Sequence, residues 1–562
     1  MKRNKIAFVL FLIVTLAIAL RFYRIGSVPP SPDWDETALG YNAYSILHTG
    51  RDEYGKWFPI IFRSFDDYKP GLYVYLAIPF VAVFGLSTWV VRMPSVVFGV
   101  LTVLATYFLT KALLFYKINQ LGKTMGRGKI EVISLFSSFL LAISPWHIQF
   151  SRVAFEANVG LSLFVAGLLF FIKGLEKKQF LYLSAGLFAL APYVYQSEKV
   201  LIPITGILLG AVFYSDLVKN WRTTCTAIGI FILVSFPFYF QTLTIPQALL
   251  RAQGVSIFAD KTPFLSRSVE RLIHDHETEN MLGFVFDNRR VTYIVSIIDN
   301  YLSHFDLNWL FITGDQARHQ PPDFGHLYLI ELPFLLIGIY ILLFSNMQLK
   351  IKVLLIGILL TTPISASITT GVPHPVRVIH FLPTLQILTA LGVISAGYSL
   401  KRHIGARFAR YVVVGVFVFV ALVNFTYYLD QYFVQYNPTS SEFWQYGYEE
   451  AVSYVASVAD QYDAIVVSNQ QPLDQSYMFF LYYLKYDPKT YVSHGGSRSG
   501  GFAETNSFGK YTFRPINWEH EDRTKKILFI GAINDFPGSV RRLKTISYLN
   551  GKSAFAIVTN QN

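Results

Sequence analysis

Long apolar segments dominate this chain and leave few choices of fold. Only 15% of its 562 residues are charged, whereas soluble domains carry about 25%. A helix needs about 20 predominantly apolar residues to cross a bilayer, so shorter runs must recruit flanking residues. The pattern therefore predicts a polytopic α-helical membrane protein. The eleven candidate spans are 6–20, 90–116, 131–146, 157–173, 179–195, 200–215, 224–241, 326–344, 351–368, 378–400 and 411–429.

The distribution of lysine and arginine sets the expected topology. The topology depends on whether a further apolar segment, Gly71–Gly85, spans the membrane. If this segment does not span, all the basic loops fall on one side of the membrane, which is then the cytoplasm. If it spans, the later basic loops lie outside while the N-terminus stays inside. We therefore predict an interfacial or re-entrant helix at Gly71–Gly85. The basic loops concerned are 2–5, 117–129, 173–178, 219–222, 350–352 and 401–410.

This topology divides the chain into two predicted domains. Residues 1–430 form the membrane domain, with a first outer loop at 21–89 and a large outer loop at 242–325. The first apolar run is either a signal peptide or, as we prefer, an uncleaved helix, and both place Arg21 onward outside the cytoplasm. Residues 431–562 form a small extracytoplasmic α/β domain. Its predicted elements are a helix at 442–459 and strands at 463–468, 526–531 and 553–559.

Composition and topology exclude several classes of function. The net charge of +12 lies largely in short loops, which predicts contact with membrane lipid and no nucleic-acid binding. Cys225 is the only cysteine, so the chain has no disulfide framework and no cysteine metal site. The expected location is the cell membrane, with the N-terminus cytoplasmic. ATP and nucleotide sugars are cytoplasmic, so a transferase on the outer face needs a donor that crosses the membrane, and a lipid-linked donor fits.

Three carboxylates in six residues mark the start of the first outer loop. Asp33, Asp35 and Glu36 lie in the segment 31–36. In a soluble protein such a segment is usually a solvated turn, and salt bridges or helix capping are alternative duties for each acid. At a membrane face, acidic groups are a functional-site hypothesis by default. We predict that 36–48 is an amphipathic helix lying on the membrane, and that one of these carboxylates deprotonates an acceptor hydroxyl.

Basic residues recur where the predicted helices meet the outer face. Each could contact lipid phosphate only, but together they could line a pocket for a polyprenyl phosphate leaving group. The candidates are Lys69, Arg92, Arg152, Lys199, Arg318 and Arg377. Other polar residues on this face are candidates for substrate binding: Asp52, Glu53, Asp67, Glu156, His319 and His374. Histidine and aspartate spacing matches no metal motif, so we predict no metal site and no cofactor besides the donor.

At this point several segments carry a resemblance to a known family. The chain resembles bacterial members of glycosyltransferase family 39, the protein O-mannosyltransferase-like group of the GT-C superfamily, and more distantly the lipid A aminoarabinose transferases. The likeness covers about residues 5–430. It rests on the segments Asp33–Gly40, Gly50–Gly55, Asp67–Gly71, Val91–Ser95, Phe150–Glu156, Gly314–His319 with Pro321 and Pro322, and Pro373–Arg377.

The resemblance implies a GT-C fold and an inverting transfer of a sugar from a polyprenyl monophosphate carrier. It implies that Asp35 is the base with Glu36 beside it, and that Lys69-Pro70 lies near the donor phosphate. Arg92 would match the arginine that opens the second spanning helix. Arg152 and Glu156 would match an Arg–Glu pair in the next outer turn. Family members generally need no metal.

The sequence leaves the acceptor open and keeps two other classes of function in view. The acceptor is a protein, a glycan or a lipid, because fold likeness does not decide substrate. A transporter or flippase of lipid-linked glycans usually shows repeats and charges within its helices, and this chain shows neither clearly. A metal-dependent oligosaccharyltransferase is the third class, and loss of activity in chelator would favour it.

Overall fold

The structure is a computed structural model, and it describes residues 3–65, 67–116, 126–245, 254–258, 262–498 and 505–561. Helices occur at all eleven predicted apolar runs, and Lys117 and Lys123 of one basic loop lie outside the described residues. The helices are Arg3–Phe22, Thr88–Phe115, Arg127–Ile143, Glu156–Gly174, Gln179–Leu190, Glu198–Val212, Trp221–Thr244, Leu332–Phe344, Leu349–Thr361, Thr384–His403 and Arg407–Asp430.

Length and burial identify the protein as a multi-pass membrane protein. Within the described ranges, seven helices are long and apolar enough to cross a bilayer, or eight if Arg127–Ile143 and Pro145–Arg152, bent by 57°, form one span. Helix Arg407–Asp430 has an apolar surface that is largely exposed. Tyr428 is its single buried residue, and phenylalanines and valines cover its surface. Such a surface is stable only against lipid.

The segment Gly71–Gly85 forms a short apolar helix, Leu72–Phe84. Its 13 residues span about 20 Å at about 1.5 Å per residue, less than the roughly 30 Å of a bilayer core. Gly85 ends it with φ of 75°, which a residue with a side chain rarely adopts. The helix packs against Trp34–Thr49 and Thr88–Phe115, so protein covers it on two sides.

The first loop contains the helix that carries the acidic segment, and its position corrects one prediction. The helix runs from Trp34 to Thr49, and ten of its 16 residues are buried. It therefore does not lie on the membrane surface as an exposed amphipathic helix. Membrane-domain helices cover one side, and helix Ser476–Tyr483 of the C-terminal domain covers another. A Cβ atom on Gly40 would lie 2.6 Å from Val91 and 2.8 Å from Tyr482, which shows how closely these neighbours approach.

The C-terminal region folds into a domain around a six-stranded sheet. The strands lie in the order Asn506–Phe508, Tyr511–Phe513, Ala464–Val467, Ile527–Gly531, Ser553–Thr559 and Arg542–Ser547. The three predicted strands are confirmed, and the predicted helix is observed at Tyr448–Val458. Ala464–Val467 pairs in parallel with Tyr511–Phe513 and Ile527–Gly531, and the outer pairs are antiparallel. We call the end of the helix bundle that carries the first loop and this domain the loop face.

Candidate active site

The first turn of helix Trp34–Thr49 gives its three carboxylates different surroundings. Successive helical residues point about 100° apart, so neighbouring acids meet different parts of the protein. Asp33 is 1% exposed and Glu36 is 2% exposed, whereas the side chain of Asp35 is 27% exposed. Of the three, Asp35 is therefore the one with room for a ligand.

Asp33 is the N-terminal cap of this helix. Its Oδ1 accepts the backbone N–H of Glu36 at 2.8 Å, as capping aspartates do. Its Oδ2 accepts Nε of Arg318 at 2.8 Å and a second bond from Nη2 of the same arginine. Both oxygens are thus occupied, and the contact joins the first loop to the large loop. This arrangement suits positioning of Asp35 and Arg318 and leaves Asp33 no open face.

Glu36 and Arg92 form a fully buried ion pair. Glu36 accepts Nε and Nη2 of Arg92 at 2.9 and 2.8 Å, and it also accepts the backbone N–H of Ala154 at 2.8 Å. The other N–H groups of Arg92 donate to the carbonyls of Ile25, Pro29 and Ser31. All five guanidinium N–H groups therefore have partners within the protein. Arg92 and Glu36 therefore have a structural role in this arrangement, and contact of Arg92 with a donor phosphate stays a prediction.

Arg152 has a similar structural position. Its Nη1 donates to the carbonyls of Leu20 and Arg21 at 2.6 and 3.1 Å, and its Nη2 donates to the carbonyl of Val28 at 2.9 Å. The residue is fully buried. Carbonyls at the end of a helix lack partners within that helix, so Arg152 satisfies the end of Arg3–Phe22. Its contact with a donor phosphate stays a prediction.

Asp35 lies in a cleft at the loop face, between two cations. Its Oδ1 forms an ion pair with Nζ of Lys69, and its Oδ2 lies 3.1 Å from Nη2 of Arg318. Lys69 is held on the hairpin of Ile61–Ser64 and Asp67–Pro70, where it pairs with Phe62. The ring of Trp34 lies 5.2 Å from the Arg318 guanidinium. One partly exposed carboxylate and two cations from separate segments thus meet at one point.

The cleft has a volume of about 120 Å³ and brings together side chains that are far apart in the sequence. Seven of the predicted site residues line it: Asp35, Lys69, Glu156, Arg318, His319, His374 and Arg377. The other lining residues are Pro70, Phe155, Val194, Tyr195, Gln196 and Val376. The wall is therefore mostly polar and carries three cations, which suits an anionic ligand.

The two histidines of the cleft lie side by side. The ring centroids of His319 and His374 are 5.0 Å apart, and Nδ1 of His319 bonds the carboxylate of Asp315. Burial lowers the pKa of His319, although Asp315 opposes the change. A neutral imidazole has one N–H donor and one acceptor. The Asp315 carboxylate accepts the Nδ1–H, so Nε2 of His319 is left to accept a hydrogen bond from a hydroxyl or N–H of a ligand.

Several predicted site residues lie elsewhere. Asp52 accepts the backbone N–H groups of Tyr54 and Lys56 and so closes its own turn. Asp67 accepts the N–H of Tyr68 at the start of a strand, and Lys199 lies 5.2 Å from the ring of Phe238. None of these residues, nor Glu53, is among those lining the cleft.

Glu53 is buried at the contact between the first loop and the C-terminal domain. Its Oε2 accepts Ser497 Oγ at 2.6 Å and Tyr477 Oη at 3.2 Å, both from the C-terminal domain. Its Oε1 accepts Asn42 Nδ2 at 3.1 Å, on the helix that begins beside Asp35. Burial raises the pKa of Glu53 to about 7. The residue therefore couples the two domains and does not contact the cleft.

Tyr195, Gln196 and Asp315 are not among the predicted site residues. Gln196 lines the cleft, and its Nε2 donates to the carbonyl of Tyr68 at 2.5 Å, which fixes the hairpin that carries Lys69. The spacing of Asp315 and His319, four residues apart, is a signal that an acid could orient the histidine. Tyr195 and Gln196 lie in a short turn before Lys199, and neither residue type alone indicates a site.

Metal binding has no obvious donor set here. Across the described ranges, no group of three or more histidine, cysteine, aspartate or glutamate side chains is arranged to hold a metal ion. The cleft itself combines acids with three cations, and their repulsion disfavours binding of a metal ion as a further positive charge. The absence of a metal requirement stays a prediction.

The protein combines a multi-pass helix bundle with an acidic helix start in the first loop and a separate domain at the loop face. The structure is similar to that of ArnT from Cupriavidus metallidurans bound to undecaprenyl phosphate, with a TM-score of 0.51 and 10% identity over 99% of this chain and 97% of that one. The apo structure of ArnT gives a TM-score of 0.51 and 11% identity, over 98% and 97% of the two chains.

A second similar structure is that of an oligosaccharyltransferase. The oligosaccharyltransferase of Archaeoglobus fulgidus, tethered to an acceptor peptide, has a TM-score of 0.50 and 12% identity over 86% of this chain and 63% of that one. No family model matches the sequence, and no curated protein matches it. At these identities the likeness establishes the fold, and the predicted GT-C architecture is confirmed.

Proposed function

We propose that this protein is a membrane glycosyltransferase. It transfers a sugar from a polyprenyl-phosphate carrier to an acceptor hydroxyl, with inversion, at the extracytoplasmic face of the cell membrane. The observation that carries the proposal is the placement of Asp35. It is the most exposed carboxylate of the acidic segment, and it lies in a cleft with Lys69, Arg318 and Arg377.

Asp35 is the proposed general base. The carboxylate takes the proton of the acceptor hydroxyl while the hydroxyl oxygen forms a bond to the anomeric carbon of the sugar. The bond between that carbon and the carrier phosphate oxygen breaks, and its electron pair leaves with the phosphate. Attack from the face opposite the leaving group inverts the anomeric centre. The products are the glycosylated acceptor, a protonated Asp35 and free polyprenyl phosphate.

The cations of the cleft are the proposed partners of the phosphate. Lys69 and Arg318 contact Asp35, and we propose that the phosphate of a bound donor takes over part of these contacts. Such an exchange frees the carboxylate to meet the acceptor. Arg377 donates to the carbonyl of Thr370 at 2.8 Å through Nη1, which aims the guanidinium. Fixed cations that meet developing phosphate charge stabilise the transition state.

Further observations support the choice of donor and of acceptor. The similar ArnT structure contains undecaprenyl phosphate, and the similar oligosaccharyltransferase structure contains an acceptor peptide. The basic loops at the other end of the helices support a loop face outside the cytoplasm, by the positive-inside rule. Soluble nucleotide sugars are absent there. The specific family, the sugar and the acceptor class (protein, glycan or lipid) belong to this proposal as predictions.

Replacement of Asp35 tests the proposal. Membranes containing the protein are supplied with a series of labelled polyprenyl-phosphate sugars, with and without chelator, and transfer of label is measured. We expect Asp35→Asn to lower transfer by about 10²–10⁴-fold while donor binding and folding persist, and we expect chelator to have no effect. Asp460→Asn, at a fully exposed aspartate of the C-terminal domain, is the matched control. Wild-type activity in Asp35→Asn would refute the assignment.

A further inference from the structure

A second, apolar cavity lies within the membrane domain, separate from the cleft. Its volume is about 710 Å³, within the range of small-molecule sites, and it shares no lining residue with the cleft. Four helices form its walls: Arg127–Ile143, Leu332–Phe344, Thr384–His403 and Arg407–Asp430. We call it the membrane groove.

Glu331 lies at the loop-face end of the membrane groove. It is 3% exposed, and among the described residues its carboxyl group has no cation and no side-chain hydrogen-bond partner, although the backbone N–H of Tyr328 approaches it. The carboxyl group begins an apolar segment, Glu331–Phe344. A carboxylate in such surroundings is strongly unfavourable unless a donor or a cation meets it. The residue therefore indicates a ligand that supplies that partner.

The shape of the membrane groove fits a hydrocarbon chain. Its walls include Thr389 and Lys401 on one helix, twelve residues or about 18 Å apart at about 1.5 Å per residue. This length is more than half of the roughly 30 Å bilayer core. Lys401 lies at the end opposite Glu331, so it cannot serve as the partner of that carboxyl. Helix Arg407–Asp430, whose surface is nearly all exposed, forms the outermost wall, so lipid reaches the groove from the side.

We propose that the membrane groove binds one chain of an aminophospholipid of the loop-face leaflet, with the primary ammonium of its headgroup bonded to Glu331. The ammonium supplies both the charge and the N–H donors that the buried carboxylate lacks. The chain supplies the apolar contacts along the helices. This site is independent of the transfer chemistry proposed above.

Native mass spectrometry of the full-length protein tests this site. The detergent-purified protein is exchanged into micelles that contain phosphatidylethanolamine, phosphatidylcholine or phosphatidylglycerol with identical chains, and retained lipid is counted. Phosphatidylcholine carries the charge but no N–H, and phosphatidylglycerol offers hydroxyls without the cation. We expect phosphatidylethanolamine to be retained about tenfold above the other two, and Glu331→Gln to remove that preference.

A pair of glycine substitutions separates groove occupancy from general lipid adhesion. A Cβ at Gly397, which lines the membrane groove, and one at Gly415, on helix Arg407–Asp430 outside the lining, would each meet no atom within 4 Å. We expect Gly397→Phe to fill the groove and abolish retention, and Gly415→Phe to behave as wild type. Equal retention of the three headgroups, or undiminished retention in Gly397→Phe, would overturn the proposal. Neither outcome depends on transfer activity.

Discussion

The contact between the first loop and the C-terminal domain is expected to weaken as pH rises. Glu53 is the titrating group: burial raises its pKa from 4.5 to about 7, while Ser497, Tyr477 and Asn42 bond its oxygens. The docked state therefore holds a proton that the opened state releases. Between pH 4.5 and about 7 the opened state binds fewer protons, so the free energy of opening falls with rising pH.

The size of the effect follows from the interval between the two pKa values. At about 1.4 kcal/mol per pKa unit, an interval from 4.5 to about 7 corresponds to about 3 kcal/mol. This loss is complete above about pH 7 and absent below about pH 4.5. A free energy of about 3 kcal/mol is a factor of about 10² in the population of the opened state.

Hydrogen exchange of wild type against Glu53→Gln measures this loss directly. The amide of glutamine is uncharged at every pH, so the variant keeps a neutral group at the contact. Amides of helices Trp34–Thr49 and Ser476–Tyr483 report opening, and comparison at each pH cancels the intrinsic exchange rate. We expect similar exchange near pH 5 and exchange up to about 10² times faster in wild type near pH 8.

One control and one outcome decide the matter. Glu519→Gln, at an exposed position of the C-terminal domain, should follow wild type across the whole pH range. A wild-type to Glu53→Gln ratio that does not change between pH 5 and pH 8 would refute the reasoning. It would mean that Glu53 titrates near its ordinary value despite its burial.

Two other substitutions test the division between cleft and scaffold. Lys69→Met removes a cation of the cleft, and with it one charge-assisted contact of about 1.5–3 kcal/mol. We expect the KM for donor to rise about 10–100-fold in steady-state kinetics while thermal stability is kept. An unchanged KM would exclude contact of Lys69 with the donor. Arg92→Met leaves Glu36 buried without its partner and should lower the free energy of unfolding in detergent by about 3–5 kcal/mol. A Glu36→Met, Arg92→Met double variant should recover much of this loss. An equal loss in the double variant would contradict this account.

The membrane architecture was predictable because a single property decides it. An apolar run must be covered by lipid or by protein, and each of the eleven predicted runs contains a helix. The boundaries moved by a few residues, as for 326–344, where the regular helix begins at Leu332 after a short turn of 3₁₀ helix. The strands of the C-terminal domain were predicted where they are central and apolar. The short strands Asn506–Phe508 and Tyr511–Phe513 lacked that signal.

The roles of the arginines were not predictable from their positions at helix ends. Arg92 and Arg152 bond carbonyls of the segment 20–31, whereas Arg318 and Arg377 line the cleft. The difference depends on which backbone carbonyls lie nearby after folding, and those carbonyls are more than 60 residues away in sequence. Residue type and helix position therefore do not predict these partners. The packing of the C-terminal domain against helix Trp34–Thr49 was not predictable for the same reason.

The acidic segment shows how the fold selects one residue among chemically similar neighbours. Asp33 caps a helix and Glu36 neutralises a buried arginine. The carboxylate oxygens of both residues are therefore occupied by contacts within the protein. These two contacts hold the first turn at both sides, so the direction of Asp35 between them is set by the helix itself. A base must be held within hydrogen-bond reach of the proton it removes. The structural duties of Asp33 and Glu36 are therefore part of what makes Asp35 suitable as the base.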